Sequence, residues 1–261
     1  MKRTPITPDL SQYPAEFLPL LEGAPLYDSS CSSEARVIFL DRGGGYYLKS
    51  APKGTLKPEA EMTRYFHSKG LATEVLSYLS GDLDWLLTRR VEGEDCTCPE
   101  YLQDPERLCD TLAALLRQLH ETPYDGCPVP DRMKTYRETA EANYRAGRYD
   151  ADLFPDNWGF RSAEEAWKTV EHCGMLLKND TLIHGDYCLP NLLLKDWQFS
   201  GFIDLGNGGV GDRHIDLFWG AWTLNFNLKT DRYRQRFFDA YGRENVDFEL
   251  LRAVAAFEVF G

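Results

Sequence analysis

The residues of this chain best suited to act together on a substrate lie between Thr181 and Gly206. They are His184-Gly185-Asp186, then Asn191 five residues beyond that aspartate, then Asp204 just ahead of Leu205-Gly206. An apolar run, Leu192-Leu193-Leu194, follows the asparagine, and Gly201-Phe202-Ile203 leads into the second aspartate, so a hairpin is expected between them. Phosphoryl transfer needs these groups. One carboxylate, Asp186, orients an attacking hydroxyl and accepts its proton. The amide oxygen of Asn191 and the carboxylate of Asp204 hold Mg²⁺ against the phosphates of a nucleoside triphosphate. Each fragment alone is a weak signal, because Asn and Asp are ordinary turn formers. The ordered set, with strands in the right places, is a strong one. His184 is read as a brace for the loop, since a buried imidazole usually orients backbone groups.

Such a centre needs a cation on the phosphates, and Lys49 is the candidate. It ends the extended run Tyr46-Tyr47-Leu48-Lys49, on the same face as Tyr47. Downstream, Glu61 could pair with it and fix the ammonium group, and Glu59 is a competing partner. Ahead of the first strand, Ser29 to Ser33 lacks a glycine-rich pattern, but serine hydroxyls and backbone N–H groups could still cover phosphates.

The elements that must position these residues follow from periodicity. Ala35 to Leu40 and Tyr46 to Lys49 read as strands joined by the glycine turn at residues 41–45. Pro58 to Lys69 reads as a helix closed by Gly70, and Glu74 to Ser80 and Asp84 to Arg90 as a second hairpin. Beyond Val91-Glu92-Gly93 the pattern turns helical. Leu108, Leu112, Leu115, Leu116 and Leu119 recur at three-and-four spacing after a candidate N-cap, Asp104. Further helices are expected over residues 133–146, 163–177 and 215 to the end. The reading is an α+β chain. Residues 1–92 form a small β-rich lobe with one helix that binds nucleotide, and residues 93–261 a larger, mainly helical lobe with the catalytic loop and substrate site. An ATP cleft lies between them, since domain junctions favour cofactor sites.

Composition narrows the partners. Of 261 residues, 41 are acidic and 29 basic, a formal charge of −12. That argues against a nucleic-acid backbone as the main ligand and is compatible with a cationic substrate. No apolar stretch approaches the roughly 20 residues that span a bilayer, and no secretory signal follows the basic N-terminus. Seven scattered cysteines read as reduced thiols of a cytoplasmic protein, and Cys96-Thr97-Cys98 alone is a weak zinc signal.

The pattern of H-x-D-x-x-x-x-N followed by D-x-G is that of the protein-kinase signature set. Over nearly its whole length the sequence resembles the aminoglycoside phosphotransferases, most closely the 3′-phosphotransferase branch. The resemblance is carried by Tyr46-Tyr47-Leu48-Lys49, Leu115-Leu116-Arg117-Gln118-Leu119-His120, His184-Gly185-Asp186 with Asn191, and Ser200-Gly201-Phe202-Ile203-Asp204-Leu205-Gly206. It implies a protein-kinase-like fold with a five-stranded N-lobe, and ATP and Mg²⁺ as cofactors. It implies Lys49 on the α/β-phosphates with Glu61 as partner, Ser33 in the nucleotide-covering loop, and adenine held at the hinge Arg89-Arg90-Val91. It further implies catalysis by Asp186, with Asn191 and Asp204 as metal ligands. The acceptor would be a small cationic aminosugar, phosphorylated on its 3′-hydroxyl by a monomer or weak dimer and met by Asp156, Glu258 and Phe260. Phe257, Gly159 and Phe160 stand where acids are expected, which keeps open a kinase of another amino alcohol or sugar. A non-catalytic nucleotide-binding module is the reading from another class, and the filled catalytic positions weigh against it.

Overall fold

The computed structural model describes residues 3–32, 34–151 and 159–261. The chain falls into two units, one made of Met1–Cys98 and Pro190–Gly206, the other of Pro99–Leu189 and Asn207–Gly261.

In the first unit, alternation builds the sheet. Along Arg36–Leu40 and Tyr46–Pro52, Ile38, Leu40 and Leu48 point to one face. There they join Tyr13, Phe17, Leu21, Leu26 and Leu87 in a buried cluster. Burying each large aliphatic side chain contributes about 1.5–3 kcal/mol, so one face of the sheet is fixed as the inner one. The opposite face carries Val37, Phe39, Tyr47 and Lys49, paired across the strands as Val37 with Lys49 and Phe39 with Tyr47.

Among the described residues six strands form this sheet: β1 (Thr4–Ile6), β2 (Leu26–Asp28), β3 (Arg36–Leu40), β4 (Tyr46–Pro52), β5 (Val75–Ser80) and β6 (Leu83–Arg89). They are ordered β1-β2-β3-β4-β6-β5 and all antiparallel. The five strands implied by resemblance thus become six. β1 and β2 span three residues each and show no alternation to read, and Pro5 is tolerated because β1 is an edge.

The helix Lys57–Ser68 carries Pro58 in its first turn, and the N–H of Leu56 just before it is met by the buried carboxylate of Asp84 at 3.0 Å. Its inward face is Glu59, Ala60, Met62, Thr63 and Phe66.

The segment after Arg89 belongs to this unit further than residue 92. Glu94–Asp95 pairs with Leu193 and Leu194 of the strand Leu192–Lys195, which in turn pairs with Gln198–Phe202. The expected boundary near residue 92 therefore moves to Cys98. Gly93 permits the approach: at φ +93° it takes a conformation L side chains avoid, and a Cβ there would fall 2.1 Å from the Leu194 carbonyl oxygen. Phe202 closes the hairpin onto the unit, donating its N–H to the Leu71 carbonyl at 2.8 Å and meeting the Phe66 ring edge-on.

The second unit is mainly helical. Asp104, Asp131, Ser162, Asp212 and Asp247 each cap a helix with a side-chain oxygen, starting Pro105–His120, Arg132–Arg145, Ala163–Cys173, Arg213–Leu228 and Phe248–Glu258. The leucine stripe read from the sequence is buried at 108, 112, 116 and 119. Thr181–Ile183 pairs antiparallel with Gly209–Gly211, and this short ribbon carries the loop of Asp186. All seven cysteines are free thiols, and burial pushes those of Cys96 and Cys109 up, so both remain neutral packing groups.

Candidate active site

Strand register and helix phase bring Lys49, Glu59 and Asp204 together. The Lys49 ammonium lies 2.7 Å from Glu59 Oε2 and 2.9 Å from Asp204 Oδ1. Burial pulls Lys49 down, but the two carboxylates outweigh it and hold the group above its ordinary range, so it stays charged. Burial pushes Glu59 up, and the ammonium beside it opposes that rise.

The expected partner Glu61 is not the one used. Two residues along a helix turn a side chain by about 200°, so Glu61 faces solvent and pairs with Lys57 at 3.8 Å, while Glu59 sits on the buried face.

Asp204 adopts φ +59°, a left-handed conformation that Asp tolerates better than most residues. The hairpin sets its neighbour. Leu192 pairs with Phe202, and the Ile203 N–H reaches the Asn191 carbonyl at 3.0 Å, so Asn191 and Asp204 sit at the same end of the two strands. An amide oxygen and a carboxylate there suit a hard divalent cation that keeps several ligand positions for water and phosphate.

Asp186 is positioned by a buried frame in the second unit. Asp216, fully buried, accepts the His184 N–H and the Gly185 N–H, each at 2.7 Å. Its Oδ2 also lies 3.2 Å from His120 Nε2, and His120 Nδ1 lies 2.8 Å from the Tyr241 hydroxyl. Burial holds His120 below its usual value, so the neutral imidazole donates to Asp216 and accepts from Tyr241. His184 acts as the brace expected of it, with its Nδ1 accepting the Asp186 N–H at 3.3 Å. Gly185 has φ +82°, and a Cβ would lie 2.0 Å from the Asn207 carbonyl oxygen, so only glycine lets the loop pass there.

Asp186 opens onto a cavity of about 480 Å³ whose wall includes Arg132, Tyr136, Asn207, Trp219 and Glu258. Glu258 Oε1 accepts the Tyr136 hydroxyl at 2.7 Å and the Trp219 indole N–H at 3.1 Å. Burial pushes its carboxyl up to about 7; the two donors pull it down, and Asp186 adds to the rise. Arg132 is held toward Asn207, donating to its Oδ1 at 2.7 Å.

An aspartate at the wall of a cavity, in one unit, and a lysine held between two carboxylates, in the other, are kinds of group that a phosphotransferase uses. The family model for the phosphotransferase enzyme family (APH) matches residues 28–257. The chain belongs to that family.

Among its relatives is a probable aminoglycoside 3′-phosphotransferase of Lactococcus lactis subsp. lactis (strain IL1403), 50% identical over 254 residues and 97% of each chain. An aminoglycoside 3′-phosphotransferase of Niallia circulans is 29% identical over 216 residues, 81% of this chain and 82% of that one. Of the solved structures, an aminoglycoside-3′-phosphotransferase of type VIII superposes with a TM-score of 0.75 at 24% identity, over 96% of both chains. An aminoglycoside phosphotransferase from Streptomyces rimosus, in complex with ADP and streptomycin, gives 0.71 at 22% identity, over 97% of this chain and 99% of that one. The fold is therefore the kinase-like α+β fold of these enzymes.

In this phosphotransferase the other expected positions fare differently. At the hinge, the Arg89 N–H donates to the Glu74 carbonyl and the Arg89 carbonyl accepts from Thr73. The Val91 N–H donates to no backbone oxygen among the described residues. Ser33 and Asp156 lie outside the described residues. Phe260, expected at the acceptor, is instead 1% exposed and meets Tyr144 and Trp167 edge-on, anchoring the tail in the core. Phe257 turns to the cavity, tilted against Tyr136 at 4.8 Å between centroids.

Sequence reasoning missed Arg132, Tyr136, Trp219 and the buried Asp216. Arg132 and Tyr136 are four apart on one helix face, a faint signal. Asp216 announced itself only as an acid in the first turn of an apolar helix.

Proposed function

We infer that this phosphotransferase moves the γ-phosphate of ATP onto the 3′-hydroxyl of aminoglycoside antibiotics in the cytoplasm, and so confers resistance to them. The first unit takes the nucleotide. Lys49, fixed by Glu59, pairs with the phosphates; Asn191 and Asp204 hold Mg²⁺; the Arg89 carbonyl and the Val91 N–H meet the adenine edge. The second unit takes the acceptor, with Asp186 aligning its hydroxyl and accepting the proton. Bound magnesium supplies charge neutralisation on the phosphates, and the rest is positioning and electrostatics.

The observation that carries the reading is that Asp186 and Glu258 line one cavity. A polycationic aminosugar is drawn to these carboxylates while its hydroxyl meets the base. The experiment is an ATP-turnover assay over an aminosugar panel that includes 3′-deoxy members. Turnover on the 3′-hydroxyl compounds alone supports the assignment, and equal turnover on the 3′-deoxy compounds refutes the regiochemistry.

A second reading, a kinase of another amino alcohol or sugar, is favoured by Arg132 and Phe257 in the same wall. A guanidinium there repels part of a polycation, and a phenyl ring adds no counter-charge. Expression in an aminoglycoside-sensitive bacterium decides: protection against kanamycin or neomycin supports the first reading, and its absence the second.

A further inference from the structure

The helix Arg213–Leu228 buries Ile215, Leu217, Phe218, Ala221 and Leu224 in the core. Its remaining large aromatic residues lie on another stripe. Trp219, Trp222 and Phe226 recur at i, i+3 and i+7, the spacing that lines residues up along one side of a helix. Their rings touch in series. Trp219 meets Trp222 edge-on at 5.3 Å between centroids, and Trp222 stacks on Phe226 at 4.8 Å with 12° between planes. The series starts in the cavity, where the Trp219 indole donates to Glu258, and ends at Phe226, which is 54% exposed. Trp219 lines the cavity, and Phe226, seven residues further along the same helix, lies at the surface.

A second observation bears on the chemistry that the outermost ring meets. Lys229, just past the helix end, places its ammonium 4.3 Å from the centroid of the Phe226 ring. That is a cation–π contact made by the chain's own primary amine.

The geometry points to Trp222 and Phe226 as an outer subsite that takes an ammonium-bearing sugar ring of the acceptor, the ring beyond the one phosphorylated. This rests on the cavity at Asp186 being the acceptor site. Carboxylates such as Glu258 then serve the inner ring, and aromatic faces serve the outer one. The Lys229 ammonium occupies the place in the free enzyme and is displaced on binding. Cation–π contacts of this kind discriminate by charge and reach, so affinity depends on whether the acceptor is long enough to lie along the helix.

The test compares a two-ring acceptor, neamine, with a four-ring one, neomycin. Trp222→Ala/Phe226→Ala is expected to raise the ratio of KM for neomycin to KM for neamine about fivefold, a loss of the size that one cation–π contact on a ring backed by Trp222 supplies. Trp222→Phe, which keeps a ring, retains most of the wild-type ratio. Lys229→Met, which vacates the Phe226 face, lowers the neomycin KM. An unchanged ratio in the double variant, with melting temperature near wild type, overturns the subsite.

Calorimetric titration with neomycin in the absence of nucleotide separates this from the functional reading. An affinity about fivefold weaker in the double variant than in the wild type supports the subsite even if no phosphate is transferred, whereas turnover with equal affinities in both proteins overturns it and leaves the reaction standing.

Discussion

Glu59 holds the Lys49 ammonium at 2.7 Å from the inward face of its helix, while Glu61, one turn-phase away, pairs with Lys57 at the surface. Removing one partner of a mostly buried ion pair leaves the other charge uncompensated. Glu59→Gln is therefore expected to raise the KM for ATP by about tenfold or more, and Glu61→Gln to leave it within about twofold. Steady-state kinetics in ATP on the two variants checks this, and the reverse order of effects would return the role to Glu61.

Asp186→Ala removes the proposed base and leaves the lysine–carboxylate set of the first unit untouched. Turnover is expected to fall by about 10²–10⁴-fold, the range general-base catalysis contributes. Nucleotide affinity, read by a fluorescent ATP analogue, stays within about threefold.

Asp216 acts through others. It holds two backbone N–H groups of the Asp186 loop and one imidazole, so Asp216→Asn replaces an acceptor with a donor against buried donors. Hydrogen bonds to charged groups are worth about 1.5–3 kcal/mol each, and a lower melting temperature is expected together with reduced kcat. The discriminating readout is the KM for ATP. It stays near wild type if Asp216 serves only the acceptor-side loop.

On the proposed function, Glu258 makes acceptor binding depend on pH. Its carboxyl is raised from 4.5 to about 7 by burial, so the folded state binds the proton more tightly than the unfolded chain. The stability this supplies is full below about pH 4.5 and is lost as pH rises through about 7, where the group ionises. Above that pH the carboxylate gains attraction for a cationic acceptor. The acceptor KM should fall between pH 6 and 8 in the wild type, and Glu258→Gln should flatten that part of the profile and of the melting temperature. An unaltered profile in the variant assigns the change to the amines of the acceptor.

Much of this was legible in the linear chain because it rests on period and spacing. The strands around Ile38 and Leu48 follow alternation, the leucine helix follows its stripe, and Asp186, Asn191 and Asp204 follow from the order of a loop and a hairpin. What stayed hidden depends on phase and long-range contact. Glu59 and Glu61 differ only in which way a helix is turned, which burial decides. The three-residue strands at Thr4 and Leu26 exist because they pair with each other and with β3. Phe260 lies in the last residues of a helical tail, and only the Tyr144–Trp167 pair shows that its ring belongs to the core. Asp216 could not be recognised before the His184 loop was seen folded over it.

The hairpin that carries Asn191 and Asp204 completes a unit whose first segment ends at Cys98, with Pro99–Leu189 of the other unit between them. During synthesis the N-terminal sheet emerges with Glu94–Asp95 lacking its strand partner and Phe66 lacking Phe202 until residue 202 has been made. No cut at Cys98 yields a whole first unit. The two halves of the gene are therefore not separable modules, and exchange between relatives preserves the pairing only when both segments come from the same parent.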